Sequence, residues 1–245
     1  MIYYIYDGSF EGILTAIHHA YYRRQIPEKI VSEDDLQESF IIEKVYIKTD
    51  IEKSDRVYNS VKTKISKEAL KNIFYVYLSE LEDRGTIIYN YLRLGWKIGK
   101  EVDLNLTNDR VLLVQNIRQK VSKEIHFMLG LVRFRELKNN ILYASIEPEN
   151  NVVGLIADHF ANRISNERWV IHDVSRNIAV VYNKQEWIIT ELELNKSIQL
   201  HEDEEIYQSL WKEYFNNIAI KDKINPKLQK RNMPTKYWKH LIEKQ

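Results

Sequence analysis

The stretch His126-Phe-Met-Leu-Gly-Leu-Val-Arg-Phe-Arg-Glu136 is where helix-type spacing gives way to strand-type alternation. Upstream of it, Val111, Val114, Ile117, Val121, Ile125 and Met128 recur at steps of three and four, which lines one face of an α-helix. The spacing predicts a long central helix near residues 107–129. Thr107 or Asn108 would cap its start, and Gly130 would close it, since glycine takes a left-handed cap without a Cβ clash. Beyond Gly130 the alternation puts Val132 and Phe134 on one face and Arg133 and Arg135 on the other. Lys138-Asn139-Asn140 then turns the chain into a second strand, Ile141 to Ile146. Two arginines on a polar strand face, just after a histidine in the last helical turn, are either a solvated surface or an anion site.

Working outward toward the C-terminus, Pro148 and Asn150-Asn151 lead into a helix through about Ile164 that carries Asp158, His159 and Arg163. His159 and Arg163 lie one turn apart on one face. An arginine is poor company for a metal ligand, so this pair is expected to stack or to face an anion. Trp169 to Val174, Ile178 to Tyr182 and Trp187 to Leu192 read as strands joined at Ser175-Arg176-Asn177 and Asn183-Lys184-Gln185, continuing the hairpin as an antiparallel meander. In the first of them Asp173 shares a face with Trp169 and Ile171. A carboxylate there needs a partner, and Arg176 or a hairpin arginine is the candidate.

Toward the N-terminus, residues 2 to 6 form a strand, and Asp7-Gly8-Ser9 turns it into a helix with Ser9 as N-cap. Gly8 and Gly12 could expose N–H groups to an anion, but without a Walker lysine or a full dinucleotide fingerprint a plain turn is the better expectation. Phe40 to Thr49 alternates as a further strand. Residues 54–98 are helical, Ser66 opening a fresh helix and Gly85 and Gly95 marking breaks. The fold class expected is α+β: a meander of about five to six strands packed with helices, including the long central one. Seven glycines and four prolines leave no flexible linker, so residues 1–245 are expected to form one compact domain with a helical section near 54–129 and a basic aromatic arm at 221–245.

The composition limits the chemistry. With 44% hydrophobic residues the chain can bury a core, and 36 basic against 35 acidic side chains leave no global field toward nucleic acid or membrane. The charge is nevertheless uneven: residues 221–245 hold eight Lys/Arg against two acids, so the rest of the chain is net acidic. Lys230, Arg231 and Lys236 interleave there with Tyr237 and Trp238. That is the composition of a phosphate-neutralising, base-stacking surface, and equally of an arm whose aromatics anchor it to the domain. The absence of cysteine excludes thiolate zinc sites, iron–sulfur clusters, disulfides and a cysteine nucleophile. No metal or cofactor is expected. Neither a signal-like N-terminus nor an 18-residue apolar run is present, which points to a soluble cytoplasmic protein without a membrane partner.

Six segments together resemble a known family: Tyr6-Asp-Gly-Ser-Phe-Glu-Gly; Glu124-Ile-His with Gly130-Leu-Val-Arg-Phe-Arg-Glu; Asp158-His-Phe-Ala-Asn-Arg; Trp169-Val-Ile-His-Asp; Asn225-Pro-Lys-Leu-Gln; and Met233-Pro-Thr-Lys-Tyr-Trp. The chain is similar over nearly its whole length to bacterial DNA metabolism or DNA repair proteins that contain a domain of unknown function. The resemblance implies a companion radical SAM protein and, in some bacteria, fusion to a uracil-DNA glycosylase-like domain. Radical SAM chemistry needs a thiolate-bound cluster and would reside in that partner. Two features depart from the family: Phe127 and Leu129 stand where it has basic residues, and the body is acidic.

Three functions follow as expectations. A nucleic-acid-binding protein would use Arg133, Arg135, Arg163, Arg176, Lys230, Arg231, Lys236, Tyr237 and Trp238. A nucleobase-processing enzyme of the N-glycosidic hydrolysis type would draw on Asp7, His126, His159 and Asp173, with Glu136 as a further carboxylate. A non-catalytic adaptor would only join partner proteins.

Overall fold

The computed structural model describes residues 1–36, 42–193, 198–218, 220 and 225–245. The backbone gathers into two compact units, Met1–Ser122 and Lys123–Gln245. The fold is α+β, as the patterning predicts, with one sheet in each unit.

In the first unit β1 (Ile2–Tyr6) is the middle strand of a parallel sheet, between β2 (Lys29–Ser32) and β3 (Glu43–Tyr46). Tyr3 lies beside Lys29 on one side and Lys44 on the other. Its aromatic and β-branched run buries Tyr4, Ile5 and Tyr6, and α1 (Phe10–Tyr22) buries Ile13, Leu14 and Ile17. Ser9 caps α1, its Oγ accepting the Gly12 N–H at 2.9 Å. The alternation from Phe40 to Thr49 yields a strand only over Glu43–Tyr46, and residues 40 and 41 lie outside the described ones.

The helical section comprises α2 (Ile51–Ser60), a π-helical turn Val61–Ile65, α3 (Lys67–Leu78), α4 (Arg84–Ile98) and the start of α5 (Asp109–Leu131). Ser66 opens α3 as expected, accepting the Ala69 N–H at 2.8 Å. Gly85 and Gly95 do not break the helix: both lie inside α4. Each is a point of close approach. A Cβ on Gly85 would sit 2.5 Å from the Ile30 carbonyl oxygen, and one on Gly95 2.7 Å from the Ile65 Cδ1. The helix stops instead at Gly99, where φ is +83°.

In the second unit the sheet runs β4 (Arg135–Glu136), β5 (Leu142–Ile146), β6 (Trp169–Asp173), β7 (Ile178–Tyr182) and β8 (Trp187–Glu191) in spatial order. Asn140, Asn177 and Lys184 hold positive φ in its turns, where the sequence places them. One junction departs from a pure meander: β5 and β6 are parallel, because α6 (Val153–Arg163) lies between them and a parallel pair needs such a crossover. Both faces of β6 are covered, so His172 is buried along with Trp169, Ile171 and Asp173. After the sheet come α7 (Glu204–Ile218), α8 (Pro226–Asn232) and two 3-10 turns, Thr235–His240 and Ile242–Lys244.

The helix ends close to where the spacing places it, with two corrections: residues 132–134 are not strand, so β4 begins only at Arg135, and Gly130 is not the cap. Helix α5 starts behind Asn108, whose Oδ1 accepts the Arg110 N–H at 3.1 Å, and continues through Gly130 to Leu131. Gly130 has no positive φ and is not a left-handed cap. Arg133 does that work: its Nη1 donates to the carbonyls of Gly130 (2.9 Å) and Val132 (3.2 Å), satisfying acceptors that a helix end leaves open. Among the described residues no helix is long and apolar enough to cross a membrane.

Candidate functional site

In the second unit the end of α5 and the segment that joins it to β4 face α6 and α7 across a cleft of about 520 Å³. That volume lies within the range of roughly 300–1,000 Å³ that holds small ligands. Gly130, Val132, Arg133 and Phe134 come from the helix-to-strand stretch, and Phe160 and Arg163 from the Asp158-to-Arg163 segment. Tyr207, Gln208 and Trp211 supply the α7 side.

Elementary chemistry fixes the cleft's floor. Arg133 is not open to an outside anion, because Nε and Nη2 donate to the two carboxylate oxygens of Glu243 at 3.1 and 2.7 Å. Glu243 also accepts the indole N–H of Trp211 at 3.0 Å, and the Arg133 guanidinium lies 5.3 Å from the Trp211 ring centre. Burial pushes the Glu243 carboxyl up, but the Arg133 and Trp211 hydrogen bonds outweigh it and hold the group below the usual range. Glu204, 5% exposed, is similarly engaged, accepting the Glu136 N–H at 2.8 Å and the Gln208 amide at 2.9 Å. Phe134 packs edge-on against Phe160 and Trp169. Arg163 is exposed at the rim and makes no ion pair among the described residues.

Of the four residues considered for catalysis, one lies in the first unit and three lie in the second. Asp7 belongs to the first unit, where burial would raise its pKa, yet Ser9 and Thr49 lower it below the ordinary value. Their hydroxyls donate to it at 2.6 and 2.7 Å, and the Ser9 N–H adds a third bond. A Cβ on Gly12 would run into the same carboxylate, so this turn is filled by its own side chain. His126 is exposed on α5, and His159 lies on α6 against Phe160 with its Nε2 buried and without a hydrogen-bond partner. Asp173 is fully buried and takes Arg176 as partner at 2.7 Å, the pairing its sequence position demands. Burial nevertheless leaves its pKa raised, the Arg176 hydrogen bond and charge offsetting only part of the shift. Arg176 further ties down the carbonyls of Pro148 and Glu149. Within the second unit, among the described residues, no hydrogen bond or ion pair joins any two of His126, His159 and Asp173.

The aromatic arm is anchored. Tyr237 is 3% exposed, and its hydroxyl donates to Glu124, a buried carboxylate that also accepts the N–H groups of Glu149 and Asn150 at 2.8 Å each. Tyr237 is therefore not a stacking platform for an outside base. Lys236 pairs with Glu149 at 2.7 Å, and the Trp238 indole donates to the Met233 carbonyl at 2.8 Å. Arg135 donates to the Gln245 side chain at 3.1 Å. Lys230 and Arg231 are exposed on α8, with no ion pair among the described residues.

Glu124, Glu204, Tyr207, Gln208, Trp211 and Glu243 were not singled out as site residues from the sequence. Of these, Glu124 stands in one of the six family-like segments, and no feature of the sequence read above marked the others. A family model described as a domain of unknown function, DUF4130, matches residues 82–243. The chain belongs to this family. Every residue lining the cleft falls within the matched DUF4130 segment. No curated protein matches the chain.

Proposed function

We propose that this DUF4130 protein is a DNA metabolism or repair protein that binds nucleic acid through its second unit and acts with a radical SAM partner. The observation that carries the proposal is the convergence of two sequence motifs, residues 130–136 and 158–163, on one cleft of about 520 Å³. The cleft offers what a base removed from its stack requires: ring faces at Trp211 and Tyr207, an amide with donor and acceptor at Gln208, and the Arg163 cation at the rim for a phosphate. Arg133 supports this site from below, pinning Glu243 and Trp211, and the Tyr237 hydroxyl holds the arm. The test is fluorescence anisotropy with labelled single- and double-stranded DNA at low salt. Binding that drops about tenfold in Arg163→Glu supports the assignment. Absence of binding to both DNAs sinks it.

A second reading, the non-catalytic adaptor, is favoured by α7. Ile206, Leu210, Tyr214 and Ile218 recur at steps of four and are each more than half exposed, an apolar ridge suited to a protein partner. Coexpression with the radical SAM protein and gel filtration decides it. A complex lost in Leu210→Glu supports the adaptor, and no complex with the wild-type chain ends it.

A further inference from the structure

The first unit has a cleft of its own, about 390 Å³, lined by side chains from α1, α2, the π turn and α4. Two of its walls are aromatic. Tyr21, 48% exposed, meets Trp96 edge-on with ring centres 4.8 Å apart, and the Trp96 indole is held by the Ser60 hydroxyl at 3.0 Å. The remaining wall is cationic: Arg56 and Lys64 are exposed and make no ion pair among the described residues, and no carboxylate lines the cleft.

The backbone places these cations in one line. Arg56, Ser60 and Lys64 are spaced by fours along α2 and the π turn. In a continuous α-helix a residue eight places on drifts about 80° round the axis. The wider π turn rotates less per residue and reduces that drift, keeping Lys64 on the cleft side with Arg56. The local field is positive in its effect on neighbours. His18, which also lines the cleft, has its pKa lowered first by burial and then by the charges of Lys53 and Arg56, with Asp50 opposing them.

We propose that this cleft is a nucleotide site, with the base against the Tyr21–Trp96 walls and the phosphate between Arg56 and Lys64. A ring face beside two unpaired cations matches the two chemical parts of a nucleotide, whether free or within a single strand. The site shares no residue with the cleft of the second unit and does not rest on the function proposed for it.

The experiment uses the full chain, with etheno-AMP as the free-nucleotide probe and a dT10 strand carrying one 5-iodouracil as the strand probe. Photocrosslinks from the strand are mapped by mass spectrometry. Etheno-AMP binding that weakens about tenfold or more in Arg56→Glu/Lys64→Glu assigns the site to free nucleotide. Crosslinks at Tyr21 or Trp96 that disappear in that variant, without etheno-AMP binding, assign it to a strand. Because both substituted side chains are exposed, circular dichroism should show an unchanged fold. Arg163→Glu should leave these signals intact, which separates this site from the second unit's cleft. No etheno-AMP binding together with no crosslink at either aromatic, or signals in the charge-reversed variant equal to the wild type's, overturns the proposal.

Discussion

Replacing Tyr237 by phenylalanine removes one hydroxyl from the carboxylate that ties the C-terminal arm to the second unit. Glu124 is 4% exposed and accepts four donors: the Tyr237 hydroxyl and the Glu149 N–H on one oxygen, and the Asn150 N–H and side-chain amide on the other. Burial, followed by the hydrogen bond and charge of Glu124, raises the Tyr237 pKa above the usual tyrosine range, so the hydroxyl remains a donor throughout ordinary assay conditions. A hydrogen bond to a charged group contributes about 1.5–3 kcal/mol, which sets the expected loss for Tyr237→Phe at about 2 kcal/mol. Glu124→Gln should cost more. Whichever way the new amide points, its NH2 replaces an oxygen that served two donors, and leaving each unsatisfied costs about 1–3 kcal/mol. Urea unfolding at pH 7 measures both changes, and the double variant should lose less than the sum because the two groups share one bond. Hydrogen exchange adds a local readout: the Glu149 and Asn150 amides should exchange faster in Glu124→Gln. A Tyr237→Phe protein within about 0.5 kcal/mol of wild type would refute the anchoring role, since that is the size of an ordinary surface change.

Gly85→Ala should destabilise the first unit by about 1–3 kcal/mol, because the new methyl meets the rigid Ile30 backbone. Gly130→Ala should instead stabilise by about 0.5–1 kcal/mol, its Cβ entering open space on a helical residue; a loss of stability in urea unfolding would restore the left-handed cap. Glu243 has a folded pKa below the ordinary 4.5, so its ionised form stabilises the fold above that pH, and the contribution is lost as pH falls through the folded value. Glu243→Gln should accordingly be about 2–3 kcal/mol less stable at pH 7 and approach wild type in acid, whereas an equal gap at pH 3 contradicts the ion-pair account. If the second unit binds DNA as proposed, Lys230→Glu/Arg231→Glu should lower the salt dependence of anisotropy-measured binding by about one to two phosphate contacts and leave base preference unaltered.

What was legible in the sequence was local. The end of the long helix, the turns at Asn140 and Asn177 and the Asp173–Arg176 pair all involve residues within a few places of one another, where periodicity and turn chemistry operate. The parallel β5–β6 junction was also within reach, since a helix between two strands permits a crossover. Contacts made across long stretches of chain were not legible. Gly85 and Gly95 punctuate nothing; they make room for Ile30 and Ile65, and only the packed structure brings those partners near. Arg133 was visible as a cation on a strand face, but its partner lies 110 residues away. The carboxylate that occupies it is one of the few acids in a strongly basic tail, where a count of charge gives it no weight.

The tail shows why composition and interface are different quantities. Lysines beside aromatics describe a surface that could neutralise phosphates and stack bases, yet the same residues fold inward when the body supplies acceptors. Lys236 and Lys239 find Glu149 and Glu147, Lys244 lies 4.8 Å from the rings of Phe215 and Trp238, and Tyr237 is buried on Glu124. The net acidity of the body is thus partly the complement of the arm. Among the described residues of the arm, the exposed cations without an ion pair lie on α8, at Lys227, Lys230 and Arg231, where no aromatic accompanies them. Such a helix end can attract a polyanion but has no ring to discriminate one base from another. Within the second unit exposed rings and a polar amide line the cleft instead, at Tyr207, Gln208 and Trp211, with Arg163 in the same lining. If this unit binds nucleic acid as proposed, the α8 cations would add charge attraction away from the cleft, and a variant there should change affinity without changing a preference set at the cleft.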